Sequence, residues 1–388
     1  MNVVTGSELS KGETSWTTAD PSTYVDLSTP PKWCSFKGVT CGSDSSTLQY
    51  RRPIAIKVPS LMLAGTLPIL MRLTEMTYFD LGVNRIDGTI PQSLFDFPKL
   101  IQLSLCSNNL TGSITLSSTV NSGFLYIDLG SNRLSGSIPN GFSGMTKIVR
   151  LSFSNNDLVG TIPSTIGRLT ALKNLQLQLN RLVGAIPSTI GSITGLTTLQ
   201  LQNNRLTGDI PSSIGALTGL VSLQLQNNRL KGEIPSTIGA LIHLQRLHLY
   251  NNRLVGAIPS IVGSLTALSS QQLQLNRLVG AIPSTIGSIT GLTTLQLQNN
   301  RLTGDIPSSI DALTNLHQLF LNSNQTRGTI PALNQSSLAS VILNDNYIAM
   351  ESVTSVPLTT ILVATLSNKV SLSEAKGKNY NNKLIASN

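Results

Sequence analysis

A chain of 388 residues is long enough for two or three globular domains or for one repeat array. Aromatic residues make up 4% and charged residues 12%, both low for a globular enzyme, and the abundance of Leu and Ile excludes a disordered chain. The formal net charge of +9 permits an anionic partner such as acidic polysaccharide, but no Lys/Arg-rich block or nucleic-acid motif accompanies it, so nucleic acid is not expected as a partner.

Residues 1–53 read as a partial N-terminal cap. The start, Met1 to Glu8, has neither a basic n-region nor an apolar h-region, so it is not a signal peptide. Either the chain belongs to a longer precursor or the protein is cytosolic. Cys34 and Cys41 stand close together ahead of the repeats, and Cys106 stands alone. A local cysteine pair in front of a repeat array suggests a disulfide-bonded cap and hence an oxidising compartment.

Residues 54–350 carry a strict period. Asn occurs every 24 residues from Asn84 to Asn324, with a last copy at Asn346, which predicts about 13 turns once the degenerate first copy, Ile56 to Pro68, is included. One unit reads Leu172-x-x-Leu175-x-Leu177-x-x-Asn180-x-Leu182-x-Gly184-x-Ile186-Pro187. The alternation at Leu175 and Leu177 is the period-2 mark of a short strand with one buried face. Asn180 is expected inside, its amide bonding backbone groups of neighbouring turns. Gly184 permits a backbone conformation that other residues avoid, and Pro187 ends the ladder and opens a 3₁₀ or helical turn. No turn buries its apolar side alone, so stability comes from stacking. The expected fold is an α/β solenoid, a right-handed superhelix with a parallel sheet on its concave side and short turns on its convex side. Residues 351–388 are expected to form a C-terminal cap or tail, partly disordered. The apolar stretch Val356 to Leu366 is too short to cross a bilayer and reads as a cap strand or helix.

The unit resembles the plant-specific class of leucine-rich repeats, whose mark is Leu-x-Gly-x-Ile-Pro after the ladder Asn. It stands here as Leu182-Val183-Gly184-Ala185-Ile186-Pro187 and Leu206-Thr207-Gly208-Asp209-Ile210-Pro211. Trp33 to Cys41, ending in Gly38-Val39-Thr40-Cys41, is similar to that family's N-terminal cap. The resemblance implies a secreted or cell-surface recognition protein, as in receptor-like proteins, receptor-kinase ectodomains and polygalacturonase inhibitors. The chain departs from the pattern: no helix opens the cap, and no paired-cysteine cap, membrane span or kinase follows the array. Residues 176–214 and 272–310 are identical, which points to a recent internal duplication. Two core positions depart from the leucine pattern, Gln271 and Thr326.

Strand residues between the inward leucines form the candidate binding face. A first zone holds Tyr78, Asp80, Gln102, Ser104, Tyr126, Asp128 and Arg150, where rings beside carboxylates suit a protein or sugar contact or merely cover the sheet. A middle zone repeats glutamine in two columns: Gln176, Gln178, Gln200, Gln202, Gln224, Gln226, Gln272, Gln274, Gln296 and Gln298. Their amides are expected to bond one another along the sheet. Arg246, His248 and Tyr250 interrupt those columns and mark a hot-spot candidate. A third zone holds Phe320, Asn322, Ile342, Asn344, Asp345 and Tyr347, expected to lie under the C-terminal tail. After the ladder Asn runs an arginine column: Arg85, Arg133, Arg181, Arg205, Arg229, Arg253, Arg277 and Arg301. It reads either as an anion-binding edge, for an acidic glycan such as pectin, or as a basic position multiplied by duplication.

Nothing points to an enzyme. The three histidines lack metal-ligand spacing, and no nucleophile elbow, phosphate loop or dinucleotide fingerprint is present, so neither metal nor cofactor is expected. Cys106 reads as an inert thiol. Asn109 and Asn334 head glycosylation sequons on expected surface, whereas Asn324 heads one but belongs to the buried ladder. The expected function is non-catalytic recognition of a protein or peptide on the concave face, in a receptor-like or defence role, at the cell surface or outside it, with a cytoplasmic location as the alternative. Inhibition of a secreted hydrolase such as a polygalacturonase, or a structural ice- or wall-binding role, are the other two readings.

Overall fold

The computed structural model describes residues 15–16, 37–42, 53–67, 73–118, 120–331, 333, 336–349 and 361–363. It divides into two units, Met1–Val183 and Gly184–Asn388. Both are built from the same coil: a three-residue strand, a tight corner, a second short extended segment and a 3₁₀ turn.

In the first unit, Val39–Cys41 lies antiparallel on Pro53–Lys57. The strands Tyr78–Asp80, Gln102–Ser104, Tyr126–Asp128, Arg150–Ser152 and Asn174–Gln176 then follow in parallel, each in register with the last. Their central residues, Phe79, Leu103, Ile127, Leu151 and Leu175, are buried, as the alternation requires. Phe95, Phe124, Phe142 and Phe153 add an aromatic cluster to this core, with ring centroids 5.1–6.5 Å apart. Cys41 is disulfide-bonded; Cys34, the partner suggested by the sequence, lies outside the described residues.

In the second unit the parallel sheet runs through Thr198–Gln200, Ser222–Gln224, Arg246–His248, Ser270–Gln272, Thr294–Gln296, Gln318–Phe320 and Ser340–Ile342, and ends on Ile361–Val363. The apolar stretch near the C-terminus therefore supplies a strand, and the rest of the expected tail lies outside the described residues. Leu and Ile alone fill most of this core. Each 3₁₀ turn begins after a proline, such as Ser188–Ser192 after Pro187, whose φ of −66° suits helix entry and whose missing N–H is not needed there.

The asparagine ladder forms as expected. Asn156 Oδ1 accepts the Leu134 N–H at 2.9 Å, and its Nδ2 donates back to Leu129 O and Phe153 O at 3.0 and 3.2 Å. Gly184 takes a φ of +76°, the left-handed value expected of it. A second left-handed position, just before the ladder Asn, is not evident from the leucine pattern. Leu179, Asn203, Asn227, Asn251 and Leu275 all take φ between 52° and 58° there. Asparagine tolerates that region best among residues with side chains, which accounts for its recurrence at this site. Leu179 and Leu275, duplicates of each other, hold the same conformation with their side chains exposed.

Candidate binding face of the parallel sheet

Outward residues stand in three columns on each unit's sheet, because side chains alternate along each strand and the strands are in register. In the first unit Tyr78 and Tyr126 occupy the first column two turns apart, and Asp80 and Asp128 sit beside them in the second. Tyr126 is 41% exposed, while the Lys57 ammonium covers the Tyr78 ring at 4.3 Å from its centroid. Each carboxylate is anchored by one oxygen: Asp80 Oδ1 accepts from Gly82 N and Asp128 Oδ1 from Gly130 N, both at 3.0 Å. Asp128 also pairs with Arg150 at 3.3 Å, and the same guanidinium nitrogen reaches Gln176 Oε1 at 3.3 Å.

The third column is nearly empty here. Gly82 and Gly130 alternate with Cys106 and Ser154, and a Cβ on Gly130 would come within 2.7 Å of Ser154 Oγ. A shallow trough results, bordered by the carboxylates of the second column, with the tyrosines one column beyond them. Ser104 lies half-buried between Asp80 and Asp128 in the second column. Cys106 carries a free thiol. Its burial and then the nearby Asp128 and Asp80 carboxylates raise the thiol pKa, which keeps it protonated and unreactive at neutral pH.

In the second unit the amides bond diagonally between columns and not straight along them. Gln202 Nε2 donates to Gln224 Oε1 at 3.2 Å, Gln274 Nε2 to Gln296 Oε1 at 3.1 Å and Gln296 Nε2 to Gln318 Oε1 at 3.2 Å. Side chains this long, one strand step apart, crowd their neighbours. As a result Gln226, expected as an open contact residue, is only 7% exposed, and Gln274 is buried with it. Gln176, Gln178, Gln200, Gln202 and Gln224 are half-buried. The Oε1 atoms of Gln178, Gln202, Gln226, Gln274 and Gln298 have no hydrogen-bond partner, so this column is not self-satisfied.

The strand Arg246–His248 breaks the amide pattern and ties down both neighbours. Arg246 Nε donates to Ser222 Oγ at 3.3 Å, and His248 Nε2 lies 3.0 Å from Ser270 Oγ. Tyr250 follows, half-buried. Burial, and then the Arg246 charge, lower the His248 pKa. The folded state therefore prefers the neutral ring, whereas the unfolded ring takes up a proton near pH ~6.5. Below that pH the unfolded state binds more protons, so this contribution to stability is complete above it and is lost as pH falls through the lowered folded value. The expected result is a drop in melting midpoint between about pH 7.5 and about pH 5.5 that shrinks in His248→Gln. Parallel thermal melts of both proteins check this; equal drops would remove His248 as the source.

Phe320 is half-buried between Gln296 and Ile342 on adjacent strands. Asn109 is half-buried, and Asn334 lies outside the described residues. Asn324 sits in the ladder, donating to Leu297 O and Leu321 O at 3.0 and 2.9 Å, so its sequon is closed. Among the described residues, no group of three His, Cys, Asp or Glu side chains is placed to hold a metal, and no helix is long and apolar enough to cross a membrane.

Stacked parallel strands, 3₁₀ turns and a buried asparagine per coil define a leucine-rich-repeat solenoid. The family models agree: leucine-rich-repeat models match residues 170–230 and 290–335, and single repeats match 124–145, 147–169 and 243–265. The chain has the leucine-rich-repeat fold, and its repeats are similar to those of plant receptor proteins. It is similar to phytosulfokine receptor 1 of Arabidopsis thaliana, with 32% identity over 98 residues, 25% of this chain and 9% of that protein. Among solved structures it resembles a TDR receptor, with 27% identity and a TM-score of 0.74, covering 80% of this chain and 56% of that one. It also resembles the Arabidopsis receptor kinase HAESA in complex with the peptide hormone IDA and a co-receptor, with 31% identity and a TM-score of 0.72, covering 87% of this chain and 57% of that one. The chain thus spans just over half the length of these structures, and the matched stretch about a tenth of the curated relative.

Proposed function

We propose that this protein is a non-catalytic, extracellular recognition module that binds a peptide or a protein segment on the outward face of its sheet. The observation that carries the reading is the trough of the first unit. An exposed tyrosine, carboxylates fixed by backbone N–H groups and a glycine floor together admit an extended chain and offer it apolar area and hydrogen bonds. The peptide hormone bound by HAESA supports a peptide ligand here, and the disulfide at Cys41 supports an oxidising compartment.

The test is selection of a displayed library of random peptides on the immobilised protein, followed by affinity measurement on Tyr126→Ala. A central aromatic anchor is worth about 2 kcal/mol or more, so selected peptides are expected to lose affinity about thirtyfold. Peptides that bind the variant as tightly as the parent, with its circular dichroism intact, would place recognition elsewhere. A selection that enriches nothing would remove the peptide reading.

A further inference from the structure

The first unit's sheet contains its own template for a bound cation. Arg150 stands in the first outward column, in register between Tyr126 and Asn174. Its Nη2 donates to Asp128 Oδ2 of the preceding coil and to Gln176 Oε1 of the following coil, both at 3.3 Å. One guanidinium thus lies across two second-column side chains, one coil to either side. The coils repeat in register, so the same arrangement of positions recurs two coils earlier.

There Gln102 takes the place of Arg150, in register between Tyr78 and Tyr126. The second-column side chains on the two adjacent strands are Asp80 and Asp128. Two acids therefore flank this place, where Arg150 has an acid and an amide. The chain sets no cation between them. Among the described residues Asp80 forms no ion pair. Lys57 is in register with Asp80 on the preceding strand, but its ammonium lies over the Tyr78 ring, 4.3 Å from the centroid. Both carboxylates are fixed in direction, because each Oδ1 accepts a backbone N–H, from Gly82 or Gly130. After burial, the Asp128 and then the Asp80 carboxylate raise the Cys106 thiol pKa, so their negative field extends over the trough. The whole chain carries a net charge of +9, so attraction of a cation is local to this place.

We propose that the peptide bound along the trough carries an arginine, whose guanidinium lies above Gln102 between Asp80 and Asp128. The inference rests on the peptide reading above and adds the identity of one ligand residue. A guanidinium suits the place better than an ammonium. Its planar fork meets a carboxylate with two donors, and its face stacks on an aromatic ring. Tyr126, 41% exposed, offers such a ring one strand step away.

The test uses the peptides that the displayed library yields on the parent protein, and these are expected to share one arginine. Citrulline in place of that arginine is expected to weaken binding about tenfold. Asp80→Asn, which keeps the acceptor for Gly82 N–H, is expected to weaken it by a similar factor. The citrulline peptide on Asp80→Asn should lose little more than either change alone, because both remove one contact. Gln102→Arg supplies the guanidinium from within the chain. It is expected to hold or raise the melting midpoint and to weaken the same peptides about tenfold. Peptides that share no arginine, or that bind Asp80→Asn and Gln102→Arg as tightly as the parent, overturn the proposal. If those peptides still lose affinity on Tyr126→Ala, the peptide reading stands without it. A library that enriches nothing removes both. A dimer of the parent in sedimentation that Asp80→Asn abolishes would assign the place to an arginine of a second copy, and that also overturns the proposal.

Discussion

Asn252→Ala is expected to destabilise the second unit by roughly 3–5 kcal/mol, the largest loss available from one polar side chain, because it orphans several buried backbone groups at once. Asn252 Oδ1 accepts the Leu230 N–H at 3.0 Å. Its Nδ2 donates to Leu225 O and to Leu249 O, both at 3.0 Å, with Tyr250 O at 3.3 Å. Two successive coils, Asn252's own and the one before it, are therefore bonded to one amide. Alanine leaves an N–H and two carbonyls in the interior, where each unsatisfied group costs about 1–3 kcal/mol. Asn252→Asp is no remedy, since a carboxylate offers these carbonyls no donor. In a stack where each coil is supported by its neighbours, the damage spreads outward from the break. Guanidinium denaturation measures the loss, and hydrogen exchange at Leu230 locates it. A change under about 1 kcal/mol with Leu230 still protected would show that water or a shifted backbone replaces the amide.

The opposite sign is expected at Gln271. This side chain is 0% exposed, stands in register between Leu247 and Leu295, and neither its Nε2 nor its Oε1 has a partner. Gln271→Leu restores the leucine row, removes an unsatisfied amide and keeps a similar volume. The expected gain is about 2–3 kcal/mol, or a rise of roughly 5–10 °C in the melting midpoint for a unit of this size. A midpoint that is unchanged or lower would mean that the amide finds partners in solution. Thr326, the other break in the leucine pattern, is different. It is equally buried, but its hydroxyl donates to Asn346 Oδ1 at 2.7 Å, the same oxygen that accepts its own N–H at 3.1 Å. Thr326 is a satisfied part of the ladder and offers no comparable gain.

These two positions show where sequence reading stops. The coil was legible because its determinants are local and repeated: leucine alternation, one asparagine per turn, one glycine, one proline. Gln271 was placed inside by the same register logic. What decided Thr326 was an acceptor in the next coil, and no single-coil pattern contains that. The face shows the same limit. Alternation identifies the outward residues Tyr78, Asp80, Tyr126 and Asp128. Only side-chain packing shows that Arg150 is engaged by Asp128, that Lys57 covers Tyr78, and that Gln226 is closed off by crowding. The trough itself depends on Gly82 and Gly130, whose missing side chains a search for contact residues passes over.

The identical segments 176–214 and 272–310 lie 96 residues apart, four whole coils. Their left-handed corners at Leu179 and Leu275 and their 3₁₀ turns Ser188–Ser192 and Ser284–Ser288 match as closely as their letters do. A nascent chain that captures the later copy where the earlier one belongs meets the same seam, and nothing local rejects the error until four coils are left looped out. Partner exchange between two molecules is open to the same ambiguity. The duplication thus lengthens the molecule at the expense of fidelity in assembly, and proofreading falls to the coils that are not copies, above all the one carrying Arg246, His248 and Tyr250.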